Sequence, residues 1–281
     1  MLRVIASLLL AACAFVAQAN TGVAFVHGTS NQSNALDDYW TRGFVDSVRA
    51  GLPNPDNYVV ANCAFDQYMW DTRAAGCLAG VLHDFIQQRG ITDLVVITHS
   101  NGGNVMRWIL SNPTWDSRYP LIIQRTRWVN AVAPSSAGTP LADAVMNGNL
   151  FEAALGWLLG YQNDAVRQQQ VAWMASYNAN WLYGTAGRPA LPRGFWNVVG
   201  TDVVAAVWNG DAYCGGYFQS VGLSITKHWL SSCSDGFLDC ASQRAAGTTW
   251  FTDTQAFGKR LNHNQSRRQC FGLDVVLRND L

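Results

Sequence analysis

The chain has 281 residues, 49% of them hydrophobic and 14% charged. That length suffices for one α/β domain with a full core. Lys and Arg balance Asp and Glu at 19 each, and only Lys227 and Lys259 are lysines. A chain without net charge lacks the basic surface that nucleic-acid binding requires, so no nucleic-acid partner is expected.

The N-terminus has the layout of an export signal. Arg3 is followed by an apolar run from Val4 to Val16 and by Ala17-Gln18-Ala19, an A-x-A cleavage site before Asn20. The run is too short for a good membrane span. Residues 1–19 are therefore read as a signal peptide and the mature protein as secreted or periplasmic. Leu10-Ala11-Ala12-Cys13 is a competing lipoprotein box that would leave Cys13 lipidated. Cleavage after Ala19 removes Cys13 and leaves Cys63, Cys77, Cys214, Cys233, Cys240 and Cys270. An even number in an exported chain argues for disulfides, and no pair has the spacing of a zinc or redox site. Cys63–Cys77 is the shortest-range pairing. Cys240–Cys270 and Cys214–Cys233 are the other expected bridges.

Val23–Val26 reads as a short buried strand. Asn34 is placed to cap one helix carrying Leu36, Trp40, Phe44 and Val48 on one face, stopped by Gly51 and Pro53. Tyr58–Val60 is the next strand. Leu78, Val81, Leu82, Phe85 and Ile86 mark an amphipathic helix ending at Gly90. The apolar strand Leu94–Ile97, a helix from Asn104 to Leu110 halted by Asn112-Pro113, and the strand Trp128–Val132 follow. Strands alternating with helices predict a mostly parallel sheet covered by helices. The alternation breaks after Pro140. Two helical stretches, with Phe151, Leu155, Leu158 and Leu159 and then Val166, Trp173, Met174 and Tyr177, read as a cap inserted at about 141–190 into a single domain spanning 20–281. Strand character resumes at Phe195–Val199, and the remainder reads as loop-rich.

The turn Thr98-His99-Ser100-Asn101-Gly102-Gly103 joins the strand Leu94–Ile97 to its helix. A small-x-Ser-x-Gly turn in that context is a nucleophile elbow, which lifts the Ser hydroxyl above the sheet at a helix N-terminus. A Ser hydroxyl needs a His to take its proton and a carboxylate to orient that His. On such a sheet the chain order is Ser, acid, His. Only His228 and His263 follow Ser100. His263, in a polar loop near the C-terminus, is favoured over the half-packed His228. Asp235, in the turn Ser234-Asp235-Gly236 between Cys233 and Cys240, is the favoured acid; Asp202, Asp211 and Asp239 are rivals. Val26-His27-Gly28-Thr29 follows the first strand and is placed to shape an oxyanion loop, with the N–H groups of Thr29 and Asn101 as donors. His27 and His99 support them.

Those segments, with Pro134-Ser135-Ser136-Ala137-Gly138-Thr139-Pro140-Leu141-Ala142-Asp143, resemble the secreted bacterial triacylglycerol lipases and esterases of the α/β-hydrolase superfamily. The resemblance implies an α/β-hydrolase fold with a small helical cap and a serine carboxylester hydrolase working through an acyl-enzyme. Its substrate would be a small-molecule or lipid ester, with transient contact at a lipid interface; oligomeric state is left open. The sequence departs from the family at Thr98, where Gly is usual, and at Gln265, where those lipases commonly carry an acidic calcium ligand. No cofactor or metal is expected. Two alternatives stand beside this reading: a polyester depolymerase or phospholipase using the same machinery, and a non-catalytic binding protein on the same fold.

Overall fold

The computed structural model of the chain describes residues 19–148, 162–203, 217–253 and 261–281. Residues 1–18 of the expected signal peptide lie outside the described residues, as do Phe151, Leu155, Leu158 and Leu159 of the expected cap, and Asp211.

Six parallel strands form one sheet in the order β2-β1-β3-β4-β5-β6. They are β1 (Thr21–Val26), β2 (Tyr58–Val60), β3 (Asp93–His99), β4 (Thr126–Val132), β5 (Gly194–Val199) and β6 (Thr248–Thr252). Side chains alternate between the faces of a strand. Ala24, Val26, Leu94 and Val96 enter one core with α2 (Cys77–Arg89), α3 (Gly102–Ser111) and α4 (Tyr119–Arg125). Val23, Phe25, Val95 and Ile97 enter the other with α1 (Arg42–Arg49) and the C-terminal helix Leu273–Asn279. The sheet is therefore covered on both faces, as its near-continuous apolar strands require.

Between β4 and β5 lie α5 (Pro140–Met146), α6 (Asp164–Gln168) and α7 (Val171–Asn180), with no strand among the described residues. Leu141, Ala142 and Val145 of α5 and Val166 of α6 form a third, smaller core with Leu223 of α8 (Tyr217–Thr226), Phe237 and Leu238. The helical insertion thus packs on the loop that carries Asp235.

Three expectations need correction. The helix predicted from Asn34 to Val48 is two pieces, a wide π-type turn over Leu36–Trp40 and then α1, separated by Thr41 at φ 73°. The C-terminal part is not merely loop: it contains β6 and, besides α8, α9 (Cys240–Gln243) and α10 (Leu273–Asn279). Cys63–Cys77 is formed as expected, but Cys233 pairs with Cys240, so neither Cys214–Cys233 nor Cys240–Cys270 is made. The reason is local. Ser234 and Asp239 form an antiparallel bridge, and the Cys240 N–H donates to the Cys233 carbonyl at 2.9 Å, bringing the two cysteines face to face.

Candidate active site

Ser100 sits on the turn between β3 and α3 with φ 54°, a left-handed conformation that costs a serine free energy. Its neighbours hold it there. The Ser100 N–H donates to the Val132 carbonyl, and its own carbonyl accepts the Gly103 N–H, both at 3.0 Å. Two glycines make room. A Cβ on Gly28 would lie 2.9 Å from the Ser100 Cβ, and one on Gly102 would lie 2.9 Å from the Val26 carbonyl oxygen. Thr98 takes the place where Gly is usual; it faces Gly103, on which a Cβ would lie 3.4 Å from the Thr98 hydroxyl and 3.2 Å from the Pro134 Cβ.

Asp235 and His263 form a bonded pair. The buried carboxylate accepts at Oδ1 from the Phe237 and Leu238 N–H groups at 2.9 and 2.7 Å, and at Oδ2 from His263 Nδ1 at 2.7 Å. The carboxylate only accepts, so the Nδ1 of the imidazole carries the proton and Nε2 is left basic. Phe237 stacks on the His263 ring at a centroid distance of 4.6 Å.

His99 connects this pair to the elbow. Its Nε2 donates to the His263 carbonyl at 2.9 Å, and its Nδ1 accepts from the Tyr39 hydroxyl at 2.5 Å. The His99 and His263 rings lie 4.6 Å apart by their centroids. Burial, with His263 and Arg267 nearby, holds His99 neutral far below the usual imidazole range. His27 is likewise pushed down to about 4 by burial. Its ring bridges the first strand loop to the Cys63 carbonyl at 3.1 Å. Both histidines are scaffolding beside the serine.

Thr29 follows Gly28, and Asn101 follows Ser100. Among the described residues neither backbone N–H has a hydrogen-bond acceptor. Two unpaired donors flank the serine on loops fixed by their side chains, an arrangement suited to a developing negative oxygen.

The rival candidates lie elsewhere. Asp202 is ion-paired with Lys227, Asp239 accepts the Ser231 N–H at 2.7 Å, and His228 is exposed on a short turn. Gln265 folds its amide back, its Oε1 accepting the Asn262 N–H at 3.1 Å. Among the described residues no cluster of three His, Cys, Asp or Glu side chains is placed to hold a metal ion. Tyr39, Gln168 and Gln169 also reach this site without having been singled out by motif; a run of three glutamines reads as a solvated helix face, and only tertiary contacts reveal otherwise.

The apolar side chains of the expected cap divide. Met174 is fully buried against Asn104 of α3. Trp173 is half exposed, and Trp181 joins Trp70, Trp108, Trp115 and Tyr177 around an aromatic cavity of about 310 Å³. Ser100 is not among its described lining residues.

No protein-family model matches this sequence, and none of the curated proteins does. Solved structures do match it. It is similar to the mature lipase BlEst2 of Bacillus licheniformis at 18% identity and a TM-score of 0.66, covering 92% of this chain and 91% of that one. It is similar to lipase 1 of Pelosinus fermentans at 13% identity and a TM-score of 0.56, covering 92% and 99%. It is also similar to the metagenomic carboxyl esterase MGS0156 at 15% identity and a TM-score of 0.56, covering 95% and 78%. With its parallel six-stranded sheet and helices on both faces, the chain has the α/β-hydrolase fold of these lipases and this esterase.

Proposed function

We propose that the protein is a serine carboxylester hydrolase of the lipase or esterase type. The observation that carries this reading is the serine held at φ 54° between β3 and α3, next in the chain to His99, whose ring lies 4.6 Å from that of a histidine bonded at 2.7 Å to a buried aspartate. Ser100 is the nucleophile, His263 the general base and Asp235 the acid that orients it. His263 Nε2 takes the hydroxyl proton as Ser100 Oγ attacks the ester carbonyl. The oxyanion is met by the N–H groups of Thr29 and Asn101. His263 then protonates the leaving alkoxide, and water, activated by the same imidazole, hydrolyses the acyl-enzyme and releases the acid.

The similar solved structures are lipases and an esterase, which supports an ester substrate of lipid character. The aromatic cavity around Trp70 and Trp181 supports an apolar substrate in the same direction. A polyester depolymerase or phospholipase would use the same centre. Export is supported by the signal-like N-terminus and by the two disulfides. No helix among the described residues is long and apolar enough to cross a membrane.

A fluorophosphonate probe tests this reading. Wild-type protein is expected to hydrolyse p-nitrophenyl esters and to take one probe adduct at Ser100. Ser100→Ala is expected to fold, resist labelling and lose activity by several orders of magnitude. A folded Ser100→Ala protein with substantial activity would rule the mechanism out.

A further inference from the structure

Each residue assigned to the oxyanion site is gripped through its side chain by one of two consecutive glutamines. Gln168 ends α6 and is fully buried. Its Nε2 donates to Asn101 Oδ1 at 3.1 Å, and its Oε1 accepts the Met69 N–H at 2.8 Å. Gln169, equally buried, donates from Nε2 to Thr29 Oγ1 at 2.8 Å and to the Ala165 carbonyl at 3.0 Å. Buried amides are costly unless bonded; the Gln168 amide is bonded at both ends, and Gln169 is bonded through its Nε2 while its Oε1 is buried without a hydrogen-bond partner among the described residues. Asn101 is held from the other side as well, its Nδ2 donating to the Phe65 carbonyl at 3.3 Å. The segment that carries the glutamines is itself tied down. The Ala165 N–H donates to the Asp66 carbonyl at 3.1 Å, and the Thr139 N–H to the Gln169 carbonyl at 2.9 Å.

We propose that Gln168 and Gln169 are positioning residues for the two oxyanion donors, so that the seating of α6 sets whether the oxyanion hole is formed. The inference rests on the serine-hydrolase reading above. Each glutamine spends its amide on the side chain of an oxyanion residue, and acts by fixing the backbone N–H of that residue. Oxyanion stabilisation depends on donors aimed at a point about 2.7–3.1 Å away, so a small tilt of either loop weakens it. An insertion that packs on the acid loop through Val166 and Phe237 would then also govern the opposite side of the same centre.

Steady-state kinetics with a trifluoromethyl ketone transition-state analogue test the proposal. Gln169→Met keeps length and removes the donor. It is expected to lower kcat roughly tenfold and leave KM within about twofold. The analogue's inhibition constant should rise by the factor by which kcat/KM falls. Thr29→Val removes the acceptor from the other side and is expected to do the same. The double variant should be no worse than the poorer single variant, within about twofold. Gln168→Met is expected to act alike through Asn101, with Asn101→Ala as its counterpart if Gln168→Met does not fold. A folded Gln169→Met protein with unchanged kcat and inhibitor affinity overturns the proposal, as do losses that multiply in the double variant. Ser100 labelling separates the two readings. Labelled, active wild type with glutamine variants that leave kcat and inhibitor affinity unchanged defeats the positioning role alone; unlabelled, inactive wild type defeats both.

Discussion

Asp235 and His263 are joined twice, side chain to side chain at 2.7 Å and through the backbone, where the His263 N–H donates to the Asp235 carbonyl at 2.9 Å. The acid loop and the histidine loop therefore move as one piece. Asp235→Asn keeps the backbone link and the shape but lets the amide favour the wrong imidazole tautomer. Its kcat is expected to fall by about 10⁴-fold with the fold intact. Asp202→Asn, at the ion pair with Lys227, should change kcat by less than about twofold. If the two variants exchanged these effects in ester hydrolysis assays, the acid assignment would be wrong.

The left-handed backbone at Ser100 stores strain that function retains. Glycine carries no Cβ penalty there. Ser100→Gly is therefore expected to be inactive yet more stable than wild type by roughly 1 kcal/mol. Urea unfolding of the two proteins measures this, and an unchanged or lower midpoint with the same slope would show that the turn is not strained.

Two buried neutral histidines give the fold an acid-sensitive edge. His27 stays unprotonated down to about 4, against 6.5 for an ordinary imidazole, and burial holds His99 well below that same ordinary value. Between those values the unfolded chain binds protons that the folded chain refuses. Stability therefore rises with pH across this window and is lost as pH falls through it. Each histidine contributes a slope of up to about 1.4 kcal/mol per pH unit, and His27 alone about 3 kcal/mol over the window. Asp116, held down to about 2 by Arg118, loses its contribution only at lower pH, below 3.8. Urea unfolding at pH 6.5, 5.8 and 5.0 should show a steady decline. A flat profile there would contradict neutral burial of both rings.

The elbow, the strand before it and the helix after it were legible because they depend on short-range rules: a buried apolar run, small residues at a tight turn, a glycine-rich helix start. The pairing of Asp235 with His263 was reached from the chemistry that a serine on that frame would need. The break at Thr41 was hidden because Trp40, Phe44 and Val48 are all buried across it, so periodicity runs through a change of helix type unmarked. The β6 strand reads Thr-Thr-Trp-Phe-Thr and is an edge strand without a continuous apolar run. The clamp by Gln168 and Gln169 had no local signature at all, since polar side chains become buried partners only when the C-terminal end of α6 meets the loop after β1 and the turn before α3.

The Cys233–Cys240 bridge closes the loop that presents Asp235. Cys233→Ala/Cys240→Ala is expected to cost about 2 kcal/mol of stability, the loop being short. It should also lower kcat, because the amides of Phe237 and Leu238 that hold the carboxylate belong to the same loop. With all six mature cysteines expected to pair, parity leaves Cys214 with Cys270. Mass mapping under non-reducing conditions should find no free thiol; two free thiols in exported protein would leave that third bridge out.

Acyl-chain preference is where the aromatic cavity should leave its mark. Trp108, which lines it, stands six residues into α3 from Gly102, about 9 Å along the helix from the turn that carries Ser100. Acetate bound to the serine does not reach that far, whereas a long acyl chain can. Each methylene buried against such a surface contributes up to about 0.8 kcal/mol. Catalytic efficiency on p-nitrophenyl esters is therefore expected to rise from acetate to medium or long chains. Trp181 is 53% exposed and lines the same cavity, so Trp181→Ala can be made with little risk to the core. That variant should raise KM for decanoate several-fold and leave butyrate unchanged. A profile that peaks at acetate, measured below each ester's solubility limit, would make the protein a short-chain esterase. An equal effect of Trp181→Ala on both esters would separate the cavity from acyl binding altogether.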